Sequence, residues 1–232
     1  MGRQQGGILR YFYLFMSFAV LAIVLYGFGR TVDHNLFHPD RPRPLILSIP
    51  AAVFSCWVLL FIVQSTLIRA SKLVWHRRLG MVSASFGVLI PLLGLSTAIV
   101  MTNWRATFEE VDAGSFAIPL NDMLSYTVCF WLAIHWRRKP EIHRRLMLMA
   151  ACVLTVAALA RFPASIVPDL WFYPYVDALI ALGALRDLVV ERRVHRVYLI
   201  GLPCLGLAQG LAMYLAFQQP GPWLAFTHLF LK

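Results

Sequence analysis

Four histidines stand at the ends of apolar runs, where an imidazole ring can bind a metal or exchange a proton. His76, His143 and His195 each begin an apolar run after a basic stretch, and His135 ends another. If these run ends lie on one side of a membrane, the four rings share a plane. One interpretation is interfacial anchoring beside basic residues. The other is a cofactor site, a haem b or a metal ion at the cytoplasmic leaflet, with His76 and His143 as the first candidate ligands.

Three ionisable residues stand out inside the apolar runs, toward the outer leaflet: Asp122, Arg161 and Asp177. Ionisable groups within a membrane span are costly, and they mark functional sites by default. When residues are counted from the ends of their predicted spans, the three side chains can lie at one depth in the outer leaflet. We expect either a structural ion pair, Arg161 with Asp177 or alternatively with Asp122, or a pathway for a proton or a small solute.

The composition indicates the class of protein in which these side chains lie. Hydrophobic residues make up 59% of the 232 residues and charged residues only 14%, whereas soluble domains carry about 25% charged residues. The chain is therefore expected to be an integral membrane protein, with the lipid bilayer as its surroundings. Its formal net charge of +10 is interpreted as membrane topology, with no nucleic-acid partner.

Apolar runs of the length that crosses a bilayer, about 20 residues, occur seven times. They predict an all-α, integral membrane bundle of seven transmembrane helices in a single domain over residues 1–232, with an interfacial tail over residues 218–232 and a tight turn at Pro168 and Asp169. The predicted spans are Ile8–Gly29, Leu45–Arg69, Leu79–Thr102, Pro119–Trp136, Leu146–Pro168, Leu170–Val190 and Val197–Phe217.

The distribution of basic residues predicts the orientation. With the N-terminus in the cytoplasm, 15 Lys and Arg residues fall on the cytoplasmic side, 5 on the other side, and Arg161 within the membrane. Basic residues collect in cytoplasmic loops. The N-terminus is therefore expected to be cytoplasmic and the C-terminus external.

Two short motifs follow basic stretches: His76-Arg-Arg-Leu-Gly80 and His143-Arg-Arg-Leu-Met147. This pair resembles uncharacterised bacterial multi-pass membrane proteins, over about a third of the chain from His76 to Phe162. The resemblance implies a multi-pass protein of the bacterial inner membrane, and it implies no particular reaction.

Three functions remain open from the sequence. The first is a membrane redox protein in which the inner histidines hold a haem, with Arg77, Arg78, Arg144 or Arg145 paired to its propionates. The second is a small-solute or proton-coupled transporter that uses Asp122, Arg161 and Asp177. The third is a non-catalytic assembly or accessory subunit with a membrane-protein partner. Nucleotide-binding motifs, hydrolase triads and zinc-type cysteine spacings are absent from the sequence, which excludes the enzyme classes that depend on them.

Overall fold

A computed structural model describes residues 11–38, 41, 44 and 48–231, and this part of the chain is all-α. The predicted span starts at Ile8 and Leu45 lie outside the described residues. A π-helical turn covers Asp33–Phe37, and a 3-10 turn covers Ala113–Phe116. The α-helices are α1 Phe12–Gly29, α2 Ser48–Arg69, α3 Leu73–Ala106, α4 Ala117–His135, α5 Pro140–Val153, α6 Val156–Leu159, α7 Phe172–Glu191, α8 Arg196–Gln218 and α9 Gly221–Thr227.

Six helical segments in the described chain are long and apolar enough to cross a membrane, which confirms the multi-pass class. They are Phe12–Gly29, Ser48–Arg69, Leu73–Ala106, Ala113–His135, Pro140–Leu159 and Arg196–Gln218. The seventh predicted span corresponds to α7, which has 20 residues. It is long enough, but it carries Asp177, Arg186 and Asp187 and is therefore less apolar than the other six. Its crossing of the membrane remains a prediction.

The segment Pro140–Leu159, which is α5 with its continuation α6, forms the centre of the bundle. Of its apolar window 67% is buried, against 39% or less in the other five segments. It packs against α4, α7, α8 and α1, while α2 lies between α1 and α3. Its core neighbours are fully buried apolar side chains on α7, Val176 and Ile180. The outer faces of the other helices expose large apolar side chains such as Leu207 and Met81, as expected for contact with lipid.

The connection between α6 and α7 differs from the predicted tight turn. The helix ends at Leu159 rather than continuing to Pro168, and residues 160–171 separate it from α7. Pro163 and Pro168 lie in this connection, and proline lacks the N–H that an α-helix requires. Arg161 therefore lies beyond the end of the helix rather than within a span.

The tail folds back onto the 3-10 turn Ala113–Phe116. Trp223 of α9 donates from Nε1 to the Gly114 carbonyl (3.1 Å), and Gln219 donates from Nε2 to Asp112 Oδ1 (2.7 Å). Asn103, near the end of α3, donates to the Phe230 carbonyl (3.1 Å). These bonds place α9 and the turn at the same end of the bundle.

Candidate functional site

The rings of His76 and His143 meet at one end of the bundle. Each residue is in the first turn of its helix, His76 in α3 and His143 in α5. Their ring centres are 6.5 Å apart, and the ring planes are inclined at 77°. Both side chains are partly buried. Two helix starts far apart in sequence thus bring two imidazoles together.

Each of these rings is held through its Nδ1 atom. His143 Nδ1 lies 2.8 Å from the Ala133 carbonyl, one of the last carbonyls of α4, which lack partners within their own helix. The side chain of Gln64 in α2 satisfies both of its neighbours when its amide nitrogen faces His76. The nitrogen then donates to His76 Nδ1 (2.5 Å), and the oxygen accepts from Ser83 Oγ (3.2 Å).

This bonding leaves the Nε2 atoms of both rings without a hydrogen bond among the residues that the structure describes. In metal-binding histidines one ring nitrogen donates to a carbonyl or similar acceptor and the other binds the metal, and His143 has this arrangement. His76 differs, because its Nδ1 accepts from Gln64 and the neutral ring then carries its proton on Nε2. His76 would bind a metal through Nε2 only after that proton has moved and the Gln64 oxygen has turned toward Nδ1. Because its Nδ1 donates to a carbonyl, His143 in the neutral form presents an Nε2 lone pair.

The other two inner histidines have different surroundings. His135 is exposed and packs edge-on against Trp136, with ring centres 4.9 Å apart. His195 precedes α8 and caps it, because its Nδ1 accepts from the Val197 N–H (3.2 Å). Burial lowers the pKa of His195, and the nearby charge of Arg145 lowers it further. Among the described residues, no group of three or more His, Cys, Asp or Glu side chains could hold a metal ion. Of the four histidines singled out in the sequence, the structure thus brings together His76 and His143.

A buried charge network lies near this end of the bundle, and the sequence analysis missed it. Arg145 of α5 and Asp187 of α7 both have fully buried side chains. Arg145 donates from Nε to Asp187 Oδ2 (2.6 Å) and from Nη2 to Asp187 Oδ1 (2.8 Å). Such a two-point contact is the strongest form of an arginine–carboxylate pair.

All five N–H groups of Arg145 are used. Besides the two bonds to Asp187, Nη1 donates to the carbonyl and to the carboxylate of Glu141 (both 2.7 Å), and Nη2 donates to Glu191 Oε1 (2.7 Å). A guanidinium group has five donors in total. Arg145 therefore has none left for a haem propionate, and that sequence-based role is wrong for Arg145.

Two further arginines complete the network. Arg186 donates to Asp187 (3.0 Å) and to Glu191 (2.7 Å), and Arg144 donates to Glu191 (3.0 Å) and to Glu141. Three arginines thus face three carboxylates, and the formal charge of the network is zero. The sequence does contain a signal for it, because Asp187 and Glu191 are four residues apart, as are Glu141 and Arg145, and this spacing puts each pair on one helix face.

In the opposite half of the bundle, Asp122 of α4 has neutral partners. The Tyr173 hydroxyl of α7 donates to Asp122 Oδ1 (3.0 Å). Asn121 Nδ2 donates to the Tyr173 hydroxyl (3.0 Å) and more weakly to Asp122 Oδ1 (3.4 Å). Asp122 and Tyr173 are both buried.

Asp177 and Arg161 do not form the predicted ion pair. Asp177, one turn beyond Tyr173 on α7, accepts from Gln209 Nε2 of α8 (3.0 Å). Arg161 donates to the Ala157 carbonyl, and its guanidinium lies over the Phe28 ring, 4.5 Å from the ring centre. Within the described chain Arg161 forms no ion pair with Asp177 or Asp122. Asp122, Tyr173, Asp177 and Gln209 nevertheless form one polar layer, to which α4, α7 and α8 all contribute.

Comparison of the chain with family models, with curated proteins and with solved structures finds no match. The geometry of the two polar sites is therefore the basis for any statement about function.

Proposed function

We propose that the protein is a multi-pass membrane redox protein in which His76 and His143 hold one haem b or one metal ion at the cytoplasmic end of the bundle. The observation that carries this proposal is the meeting of the two rings, in which His143 Nδ1 donates to a carbonyl so that its Nε2 presents a lone pair. When bound, a haem or an iron or copper ion would supply one-electron transfer, whereas a zinc ion would not. The residues of the chain supply two ligands and hold their orientation.

The spacing of the rings supports the proposal. A metal held by two imidazole nitrogens at about 2.0–2.1 Å, with about 1.1 Å from each nitrogen to its ring centre, separates the ring centres by about 6.3 Å when the atoms are collinear. The observed separation is 6.5 Å. The two rings are thus close enough for one metal ion to be held by both, at the upper limit of the separation that such a pair would allow.

The arginines next to His76 and His143 support a haem as the bound group, although a metal ion remains the other candidate. Arg77 and Arg78 directly follow His76, and both are exposed. Arg144 and Arg145 follow His143, but both are engaged in the charge network. For the propionates of a haem, Arg77 and Arg78 are thus the arginines next to the histidines that remain available.

The proposal includes the predicted topology: seven spans, a cytoplasmic N-terminus, an external C-terminus and a place in the bacterial inner membrane. A helix of 20 residues is about 30 Å long, which matches the hydrocarbon core. Of the charges on α7, Arg186, Asp187 and Glu191 are paired in the network, which lowers the cost of placing this helix in a membrane. Reporter fusions after Lys139 and after Gln219 are expected on opposite sides, whereas a helix α7 that does not cross would put both on the same side.

The decisive experiment is to purify the protein in detergent from cells supplied with haem, iron, copper and zinc. We expect either the Soret band of a bound haem, with sharper visible bands after reduction, or one equivalent of iron or copper by elemental analysis. The signal should be lost in His76→Ala and in His143→Ala and retained in His135→Ala, a matched control at an exposed histidine. If the wild-type protein has neither haem nor stoichiometric iron or copper, the proposal is wrong, and stoichiometric zinc alone contradicts the redox function.

A second candidate, a proton-coupled or small-solute transporter, is favoured by the polar layer of Asp122 and Asp177. This version of the transporter no longer includes Arg161, which pairs with neither carboxylate. Flux of a pH-sensitive dye in proteoliposomes, compared between the wild type and Asp177→Asn, tests it. If neither cofactor nor flux is found, the third candidate remains, a non-catalytic assembly or accessory subunit bound to another membrane protein.

A further inference from the structure

Two carboxylates are deeply buried in the bundle, and they have opposite kinds of partners. Asp187 is held by the guanidinium groups of Arg145 and Arg186. Asp122 is held by a tyrosine hydroxyl and an asparagine amide, and among the described residues it forms no ion pair. A buried carboxylate with a guanidinium partner has its charge balanced, but a buried carboxylate with neutral partners does not.

The hydrogen bonds to Asp122 are concentrated on one oxygen. Both the Tyr173 hydroxyl and Asn121 Nδ2 donate to Oδ1, and Asn121 also donates to the Tyr173 hydroxyl. In this triangle of hydrogen bonds, Tyr173 donates its hydroxyl proton to the carboxyl group of Asp122. Oδ2 receives no hydrogen bond from the described residues and is the oxygen that can carry a further atom.

The charged groups around this site do not balance a negative charge on Asp122. On α7, Tyr173 is followed one turn later by Asp177, a second acid, which is bound to the neutral Gln209 of α8. On α3 the stretch from Leu79 to Trp104 contains no charged residue. Ser125, one turn along α4, is also neutral, and its hydroxyl contacts the Asn121 side chain (3.5 Å).

We propose that the carboxyl group of Asp122, together with Tyr173, is a proton-binding site in the half of the bundle opposite the histidine pair, with the proton carried on Oδ2. A proton suits this site better than a metal cation, because Tyr173 and Asn121 direct hydrogen atoms, not oxygen lone pairs, at Asp122. The inference is independent of the histidine proposal, since it uses other residues on a different part of the bundle.

Infrared spectroscopy of the protein in a detergent without carbonyl groups tests the site directly. A protonated carboxyl group has a carbonyl stretching band that is separate from the amide bands and shifts in D₂O. At neutral pH we expect such a band in the wild type, its loss in Asp122→Asn and its retention in Asp177→Asn, the matched control on the neighbouring helix. In Tyr173→Phe the band should shift in frequency, because the carboxyl group loses its hydroxyl partner.

The outcomes separate the possibilities. If the wild type shows no protonated carboxyl band at neutral or mildly acidic pH, or if the band persists unchanged in Asp122→Asn, the proposal is wrong. If Asp122→Asn does not fold, the Tyr173→Phe shift decides, and an unshifted band overturns the assignment. Haem or metal content plays no part in this measurement, so a failure here does not bear on the histidine pair.

Discussion

Replacing Arg145 with methionine should destabilise the protein by about 3–5 kcal/mol, the cost of breaking a buried ion pair by removal of one partner. The substitution deletes five hydrogen bonds and keeps a side chain of similar length. It also leaves two arginines facing three carboxylates, so the buried Asp187 retains only Arg186 as a charged partner. The simple sum of five charge-assisted hydrogen bonds would be larger, but such contributions are not additive.

The measurement is the free energy of unfolding in mixed micelles, from titration with a denaturing detergent followed by far-UV circular dichroism. Arg138→Met is the matched control. Arg138 is exposed, so its replacement should change the free energy of unfolding by about 0.5 kcal/mol or less. If the two substitutions cost the same, Arg145 is not paired in the way that the structure shows.

A double variant tests the charge argument separately from packing. Combining Arg145→Met with Asp187→Leu removes one charge of each sign and leaves Arg144, Arg186, Glu141 and Glu191 balanced. Buried ion pairs replaced by apolar side chains of similar volume are often neutral or stabilising. The double variant should therefore be more stable than Arg145→Met alone. Strict additivity of the two single effects would contradict direct pairing.

Two further predictions concern local contacts. A Cβ atom at Gly27 would lie 2.3 Å from the Ala158 carbonyl oxygen, whereas a Cβ atom at Gly206 would have no atom within 4 Å. Gly27→Ala should therefore lower the free energy of unfolding by about 1–3 kcal/mol, and the control Gly206→Ala should leave it almost unchanged in the same unfolding assay. Because burial lowers the pKa of His195 below its usual 6.5, its contribution to stability is complete above pH 6.5 and is lost as the pH falls through the lowered value. A protonated Nδ1 no longer accepts a hydrogen bond from the Val197 N–H. Asparagine caps a helix at any pH, so His195→Asn should reduce the fall in melting temperature at acidic pH. If the pH profile of the melting temperature does not change in this variant, the His195 cap is not the cause of that fall.

Hydropathy predicted the architecture well because lipid imposes one simple rule on a spanning segment. Six of the seven predicted spans correspond to long apolar helices. The predicted boundary was wrong where prolines follow the helix: the fifth span ends with α6 at Leu159 and not at Pro168. That shift also explains the wrong ion pair, because the depth of Arg161 was counted along a helix that ends before it.

The predicted histidine ligands and the missed charge network show what the sequence does and does not contain. The starts of α3 and α5 carry the same His-Arg-Arg motif, which favoured His76 and His143 over the other histidines. Arg145 belongs to the same motif, and the sequence assigns it to the basic residues outside the membrane. Its pairing with Glu141, which lies four residues earlier on the same helix face, was overlooked. Its burial depends on α7 packing against α5, a tertiary contact that the spacing within one helix does not reveal.

The core between the two polar sites favours separate chemistry at each of them over permeation through the bundle. The charge network and the histidine pair lie at one end, and Asp122 lies toward the other. Between them the packed side chains are apolar, with Leu148 of α5 and both Val176 and Ile180 of α7 fully buried. A charged solute crossing this layer would lose its hydration without gaining a partner. A proton on Asp122 would instead exchange with the nearer end of the bundle, where α4 begins. Electron transfer at the histidine pair, as proposed above, would require no opening of the core, so the packing agrees better with that proposal than with a channel.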